Sequence, residues 1–140
     1  MKSDEALTND AVVKRTVNDE KKNDGHIGEH ELKNNVSLGR VYIMECQGVF
    51  AGWLRYNLFW DNTPFMNMLY LLSEYRGMGL GHKLVLFWEA QMRAEGYTLV
   101  MTSAVSSEHA QHFYYKLGYT AVGGFATQDG SYELLLKKSL

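Results

Sequence analysis

Three glycines spaced two residues apart, Gly77, Gly79 and Gly81, lie between an apolar segment and a strongly amphipathic one. Glycine leaves the backbone amides accessible to a ligand and permits the φ angles that a tight turn needs. A helix that begins at this point would add the positive end of its dipole. The pattern is typical of an anion site at a helix start, and the alternative is a plain turn between a strand and a helix.

The spacing of this loop excludes two common phosphate-binding motifs. In a GxxxxGK[ST] loop that begins at Gly77, the second glycine would stand where the chain has His82, and Lys83 is followed by Leu84. A GxGxxG dinucleotide fingerprint would need its third glycine at His82 or Leu84. The spacing therefore excludes both motifs and leaves open an anion site of another kind or a plain turn.

Hydrophobic periodicity predicts the elements that position the loop, beginning with a polar first part. Residues 1–38 contain 14 of the 30 charged residues and none of the 18 aromatic ones. Their apolar residues have helical spacing and predict two polar helices without a clear first strand. The apolar positions on the two helices are Leu7, Val13 and Val17, then Ile27, Leu32 and Val36.

From Arg40 onward the pattern changes to strands. VYIMEC, VFAGWLRYNLFW and FMNMLYLL predict a three-strand antiparallel meander, with the first turn at Gln47 and Gly48. HKLVLFWEAQMRAEG predicts an amphipathic helix that stops at Gly96. TLVMTSAV predicts a strand, SSEHAQHFYYKLG a serine-capped helix, and the last two apolar segments a hairpin around Asp129 and Gly130.

The order of these elements predicts an α+β (mixed α/β) domain that spans residues 1–140. A strand, a crossover helix and a second strand require at least one parallel pair in a mostly antiparallel mixed sheet. Helices would cover both faces of that sheet. A chain of 140 residues has room for one domain.

Composition excludes several classes of partner. The formal charge is -2, from 14 basic and 16 acidic residues, and the basic residues do not cluster, so we expect no nucleic-acid partner. No apolar run reaches the length of a membrane-spanning helix, so we expect no membrane partner. Cys46 is the single cysteine, and the first ten residues have no apolar signal core, which favours a cytoplasmic location.

Two segments resemble one known family. Arg76-Gly-Met-Gly79-Leu-Gly81 resembles the Arg/Gln-x-x-Gly-x-Gly/Ala motif of the GNAT superfamily of N-acetyltransferases, whose loop holds the pyrophosphate of acetyl-CoA. The segment from Ala110 to Tyr119 resembles the closing helix of that family. The resemblance covers about residues 40–140 and implies a single GNAT-like domain. Residues 40–140 would be the sheet core with the cofactor site, and residues 1–38 a polar helical part.

The resemblance also implies a set of functional positions. The strand end would run beside the pantetheine arm with an amide near Leu71 at the thioester oxygen, and the glycine loop would hold the pyrophosphate. Ser107 stands where relatives often have an asparagine at the start of the closing helix. The implied cofactor-binding residues are Leu69, Tyr70, Leu71, Arg76, Gly77, Met78, Gly79, Leu80, Gly81, His82 and Ser107.

Tyr114 falls on the general-acid position of the family. A phenol with a pKa near 10 is a weaker acid than a thiol near 8.5, so full proton transfer to a thiolate would be uphill by roughly 2 kcal/mol. Hydrogen-bond donation to sulfur is the milder role. Adjacent helix positions point about 100° apart, so Tyr115 cannot face the same site.

A general base is not apparent in the sequence. The position at which some relatives carry a glutamate is Thr102 here, and neither Thr102 nor Ser107 is a carboxylate. The residue types allow four other candidates, although we expect surface or structural roles for them. These are Glu45, Asp61, Glu74 and His109.

The sequence therefore predicts an enzyme that moves an acetyl group from acetyl-CoA to a primary amine of a small molecule, peptide or protein. The alternative is a non-catalytic module that binds or senses acyl-CoA, which the missing carboxylate favours. Four aromatic residues allow either an acceptor pocket or strand packing, and we expect packing. They are Trp53, Tyr56, Trp60 and Phe65.

Three further features need an interpretation. The apolar run Leu134 to Leu136 on the last strand allows either a homodimer interface or an internal strand. His26-x-x-Glu29-His30 matches an HxxEH zinc motif, but Gly28 interrupts the helix that the motif needs, so we expect no metal. Cys46 is expected to be a small buried apolar residue.

Overall fold

The computed structural model describes residues 10–16 and 25–140. Within these residues, seven strands form one sheet with the spatial order β1-β2-β3-β4-β5-β7-β6. The strands are β1 (Ala11–Arg15), β2 (Val41–Cys46), β3 (Val49–Phe59), β4 (Thr63–Leu71), β5 (Leu99–Val105), β6 (Thr120–Ala126) and β7 (Tyr132–Ser139). The helices are α1 (Glu29–Ser37), α2 (Leu80–Ala94) and α3 (Ala110–Lys116), with a 3-10 turn at Ser73–Tyr75 before α2.

The predicted meander and the predicted parallel pair are both confirmed. Strands β2, β3 and β4 pair antiparallel in chain order, and β4 pairs with β5 in parallel through Phe65 opposite Met101 and Met66 opposite Thr102. The final hairpin β6–β7 is antiparallel, and β7 lies between β6 and β5. The sheet is therefore mixed and mostly antiparallel, as predicted.

The prediction that the first part of the chain lacks a strand is wrong. Val13 lies on β1, which pairs antiparallel with β2, whereas Leu7 and Val17 lie outside the described residues. The strand escaped detection because its second half is charged and ion-paired rather than alternating. Lys14 pairs with Glu45 at 2.7 Å and Arg15 with Glu95 at 3.0 Å, contacts that suit a polar edge strand. The second predicted helix is confirmed as α1.

Helices cover both faces of the sheet, as predicted. On one face α2 buries Leu84, Trp88 and Met92 against strand residues that include Tyr42 and Leu54. On the opposite face Leu32 of α1 packs in a smaller cluster with residues of β2 and β3. These are Val41, Ile43 and Trp53. Successive residues of β2 point to opposite faces, so one strand serves both cores.

A buried polar bridge fixes α2 to the last strand. Glu89 of α2 accepts hydrogen bonds from the Tyr119 hydroxyl at 2.8 Å and from the Lys138 ammonium at 2.7 Å. The Glu89 side chain is 2% exposed, so both partners are needed to offset its desolvation. The bridge holds the helix whose first turn carries the glycine loop.

The helix boundaries differ from the predicted ones at two places. Helix α2 starts at Leu80, two residues earlier than predicted, because Gly79 takes a left-handed φ of 84° immediately before it. Helix α3 starts at Ala110 and has no serine cap, which corrects the prediction. The Gln111 amide instead donates to the Ser106 and Glu108 carbonyls at 2.7 and 3.1 Å.

The apolar last strand is internal rather than an edge. Strand β7 has hydrogen-bonded neighbours on both sides, and Leu136 is fully buried. The internal-strand alternative accounts for the Leu134–Leu136 run, which no longer argues for a homodimer interface. Within the described ranges, no helix is long and apolar enough to cross a membrane.

Candidate active site

A β-bulge in β4 lies at the point where this strand separates from β5. Tyr56 of β3 lies opposite Met66, and Arg55 lies opposite Met68, so Asn67 is the extra residue. The side chain of Met66 belongs to the main core, and after the bulge the inward positions shift from even to odd numbers. Leu69 and Leu71 pack against the same core as Met66. Since β4 pairs with β5 at Phe65 and Met66 and diverges afterwards, a wedge opens between the two strands.

The bulge also turns two backbone amides toward the wedge. The Leu72 amide donates to the Ala51 carbonyl of β3 at 2.9 Å, so it points away from β5. Backbone groups of successive strand residues alternate in direction, which aims those of Leu71 and Leu69 at the wedge. Thr102 closes the narrow end, because its hydroxyl donates to the Met66 carbonyl at 3.0 Å.

The end of β4 that lines the wedge packs closely against β3. A Cβ on Gly52 would collide with the Tyr70 carbonyl oxygen and the Leu71 side chain. Only glycine therefore lets β3 lie this close to the part of β4 that lines the wedge.

The glycine loop forms the start of α2, as predicted. Gly77 and Gly79 have φ angles of 79° and 84°, the left-handed region that favours glycine. The first intrahelical bond runs from the Lys83 amide to the Gly79 carbonyl at 3.1 Å, so the amides of residues 80–82 precede the helical ladder. The first turn carries no acidic residue that would repel an anion.

A cavity of about 260 Å³ joins the strand end, the loop and α3. It collects six of the sequence-predicted site residues: Leu69, Tyr70, Leu71, Arg76, Gly81 and Tyr114. Ala110 and Phe113 of α3 complete the wall. The apolar walls and the adjoining loop amides fit a ligand with an uncharged arm and a phosphate group.

The remaining predicted residues lie around this cavity. Gly77, Met78, Gly79, Leu80 and His82 form the loop and the first helical turn beside it. Ser107 is exposed in the turn before α3 and lies outside the cavity wall.

Arg76 is held in place at the rim of the cavity. Its Nε donates to the Leu71 carbonyl at 2.9 Å, and its guanidinium carbon lies 5.6 Å from the centroid of the Tyr70 ring. The side chain is exposed, so its terminal nitrogens face solvent beside the loop. Arg76 therefore packs at the surface and also places a positive charge beside the glycine loop.

A second cavity of about 660 Å³ meets the first at Leu69 and Tyr114, which line both. It opens on the sheet face opposite α2. Its walls contain two carboxylates that the sequence analysis did not identify, those of Glu108 and Glu133, together with Arg55 and His26. We call this second cavity the acceptor pocket.

Burial shapes the chemistry of Tyr114. The residue is 7% exposed, and this burial raises the pKa of its phenol to about 12, although its hydrogen bond with Thr102 acts in the opposite direction. The phenol is therefore protonated at neutral pH and can donate a hydrogen bond where the two cavities meet. Tyr115 is 40% exposed and donates to Gln111 at 3.4 Å, outside both cavities.

None of the base candidates from the sequence lines the acceptor pocket. Glu45 is paired with Lys14, and Glu74 accepts from the Ser73 hydroxyl at 3.4 Å. Asp61 is exposed in the β3–β4 turn, and the His109 ring lies beside that of His112. Glu108 and Glu133 were missed because they lie on different elements, and no local pattern in the sequence marks them.

The four aromatic candidates separate into packing and surface residues. Trp53 is fully buried and Tyr56 is 4% exposed, which confirms the expected packing role for both. Phe65 is half-buried, and Trp60 is 81% exposed. Cys46 is buried, as expected. Among residues 10–16 and 25–140 there is no cluster of three or more His, Cys, Asp or Glu side chains suited to a metal.

The family assignment follows from comparison with known proteins. The family model described as "Acetyltransferase (GNAT) family" matches residues 7–119. The chain belongs to this family, which confirms the resemblance drawn from the glycine loop and the closing helix. The chain is thus an acetyltransferase whose cosubstrate is acetyl-CoA. No curated protein matches the sequence significantly.

Solved structures of low sequence identity share the fold. Ard1 from Thermoplasma volcanium is 12% identical with a TM-score of 0.77, over 94% of this chain and 98% of that one. A NatC complex bound to Gag peptide and CoA contains a chain that is 17% identical with a TM-score of 0.75, over 94% and 99%. A Bacillus anthracis protein in complex with acetyl-CoA is 16% identical with a TM-score of 0.66, over 71% and 61%.

Proposed function

We propose that the protein transfers the acetyl group of acetyl-CoA directly to a primary amine bound in the acceptor pocket. The observation that carries this proposal is the meeting of the two cavities at Leu69 and Tyr114. One cavity adjoins an anion-binding loop and the other is lined by carboxylates. A thioester bound at this junction would lie within reach of an amine in the acceptor pocket, so the acetyl group would move between them without contact with bulk solvent.

The residues present supply a binding mode for acetyl-CoA. The amides that precede the α2 ladder, at residues 80–82, would hold the pyrophosphate. The wedge side of β4 would lie along the pantetheine arm, with the Leu71 amide facing the thioester oxygen. Arg76 would add positive charge at the rim. The bound cosubstrate supplies an activated acetyl group.

The proposed reaction assigns separate tasks to the chain's own residues. The neutral amine nitrogen forms a bond to the thioester carbonyl carbon, the carbon–sulfur bond breaks, and the amine gives up one proton. The Leu71 amide donates to the oxygen on which negative charge develops. Tyr114 donates a hydrogen bond to the departing sulfur. Glu108 or Glu133 would accept the amine proton, directly or through water.

The reason for considering a non-catalytic acyl-CoA module was the missing carboxylate base. Positions 102 and 107 carry no carboxylate, but Glu108 and Glu133 supply carboxylates from elsewhere in the fold. Turnover separates the two functions, because a sensing module would bind acetyl-CoA without releasing its thiol faster in the presence of an amine.

The test measures thiol release from acetyl-CoA with a panel of primary amines, together with mass detection of the N-acetyl product. Gly79→Trp should abolish the reaction because its side chain would occupy the anion site. Gly48→Trp is the matched control. Gly48 lies in the β2–β3 turn and has a left-handed φ of 79°, compared with 84° at Gly79, and both positions have open space where a Cβ would stand. Equal activity of the two variants, or a folded parent that acetylates no amine, would overturn the proposal.

A further inference from the structure

The acceptor pocket continues into an apolar groove on the same face of the sheet. The groove has a volume of about 410 Å³ and shares Asn67 and Ser103 with the pocket. Its apolar walls come from four strands and consist of Leu58, Phe59, Phe65, Phe125 and Leu135. The two cavities therefore form one continuous depression that starts at Leu69 and Tyr114.

Aromatic side chains at one end of the groove remain accessible. The Phe59 ring stacks on Phe65 with centroids 6.0 Å apart and on Trp60 with centroids 5.0 Å apart. Phe125 is 51% exposed on the opposite wall. Aromatic rings clustered at an open cavity, rather than closed over by a helix, are typical of a binding surface.

The turn that presents Trp60 is strained. Trp60 and Asp61 have φ angles of 53° and 65°, a region that residues other than glycine seldom adopt. The conformation leaves the indole exposed and stacked on Phe59, beside the groove. Strained turns of this kind concentrate at functional sites.

Charge in the acceptor pocket complements a cation. Glu108 and Glu133 contribute two carboxylates to its wall, against one guanidinium from Arg55. The groove beyond Asn67 is instead lined mainly by apolar side chains. A ligand that fits both parts carries a positive group at one end and an apolar group at the other.

We propose that the acceptor is a small primary amine that bears an aromatic ring on a short alkyl chain, with the ring bound between Phe65 and Phe125. The inference rests on the proposed acetyl transfer and adds the substrate class. Phe65 lies opposite Asn57 and Leu69 lies opposite Leu54, so the two β4 residues are separated by the length of three β3 residues, or about 10 Å. The ring in the groove and the amine at the junction therefore need a flexible linker of a few carbon atoms.

The test compares amines that differ in the ring alone. We expect kcat/KM for 4-phenylbutylamine to exceed that for butylamine by at least about tenfold, because a hydrophobic subsite discriminates groups of this size by that factor or more. Phe65→Ala and the more exposed Phe125→Ala should each lower this ratio several-fold. Leu86→Ala is the control, since Leu86 is 43% exposed on α2, on the opposite face, and should leave the ratio unchanged.

The outcomes separate this inference from the proposed function. Equal kcat/KM for the two amines, with turnover of both, would overturn the aromatic subsite and leave acetyl transfer intact. A strong preference for a Phe-Ala-Ala peptide over Gly-Ala-Ala, combined with poor turnover of both free amines, would replace the small amine by a peptide terminus. If none of these acceptors supports thiol release from acetyl-CoA, the proposed function itself is overturned.

Discussion

Replacement of Tyr114 by phenylalanine tests whether this phenol donates a hydrogen bond or a full proton. The pKa of about 12 lies roughly 3.5 pKa units above that of a thiol, so transfer of the proton to a thiolate would be uphill by about 5 kcal/mol. We therefore expect a hydrogen bond to developing negative charge, worth about 1.5 to 3 kcal/mol. Tyr114→Phe should lower kcat about 10- to 150-fold.

The pH dependence gives a second, independent readout of the same residue. The phenol stays protonated until the pH approaches 12, so Tyr114 adds no alkaline limb to the rate profile below about pH 10. Tyr114→Phe should therefore lower the plateau without changing the shape of the profile. Because the folded-state pKa is raised, the contribution of this group to stability is complete below pH 10 and is lost as the pH rises toward 12.

The assay is thiol release at saturating acetyl-CoA and amine, accompanied by calorimetric titration of acetyl-CoA. The affinity for acetyl-CoA should change less than threefold in Tyr114→Phe, because the proposed contact of the phenol is with the sulfur and not with the pyrophosphate. A kcat within twofold of the parent would refute the hydrogen-bond role. A loss above about 10⁴-fold, together with disappearance of an alkaline limb, would instead show proton transfer.

Two further substitutions test the supports of the site. Gly52→Ala should weaken acetyl-CoA binding at least tenfold and destabilise the fold by about 1 to 3 kcal/mol, because its Cβ collides with the Tyr70 carbonyl. Calorimetry measures the binding and urea unfolding measures the stability. The control is Gly25→Ala, at a position with no atom within 4 Å of a Cβ, and equally small effects in the two variants would contradict the prediction. Glu89→Gln should lower the free energy of unfolding by about 3 kcal/mol, because it breaks a buried pair. Glu29→Gln, in an exposed pair, should cost below about 1 kcal/mol, and equal losses in the two variants would refute the argument.

The position of the glycine loop could be predicted from the sequence because local spacing determines where the helix begins, whereas Tyr114 follows from the resemblance to the family. Two left-handed glycines immediately before an amphipathic helix specify where the helix begins, whatever packs around it. Helical geometry likewise separates Tyr114 from Tyr115, since only one of two adjacent positions can face the core.

The wedge could not be predicted in the same way. It depends on the extra residue at Asn67, which reverses the alternation of the strand, and a bulge leaves no signal in a run of apolar residues. The spacing of Leu69 and Leu71 predicts that they lie on the same face of the sheet. The bulge decides that this face is the one that packs against the main core.

Long-range pairing hid two other features. Glu133 reaches the acceptor pocket because β7 inserts between β5 and β6, an order that the chain sequence does not reveal. Strand β1 is stabilised by partners far along the chain, with Arg15 donating to the Tyr42 hydroxyl at 3.2 Å and pairing with Glu95. Such contacts satisfy polar side chains that local periodicity assigns to a helix.

In the proposed binding mode, the loop before α2 and the wedge between β4 and β5 together hold acetyl-CoA. Calorimetric titration of acetyl-CoA into the purified protein and its Gly79→Trp and Gly48→Trp variants tests this binding mode. We predict one site per chain in the parent and in Gly48→Trp, and loss of binding in a folded Gly79→Trp. Absence of binding in a folded parent, or equal affinity in all three proteins, would contradict it.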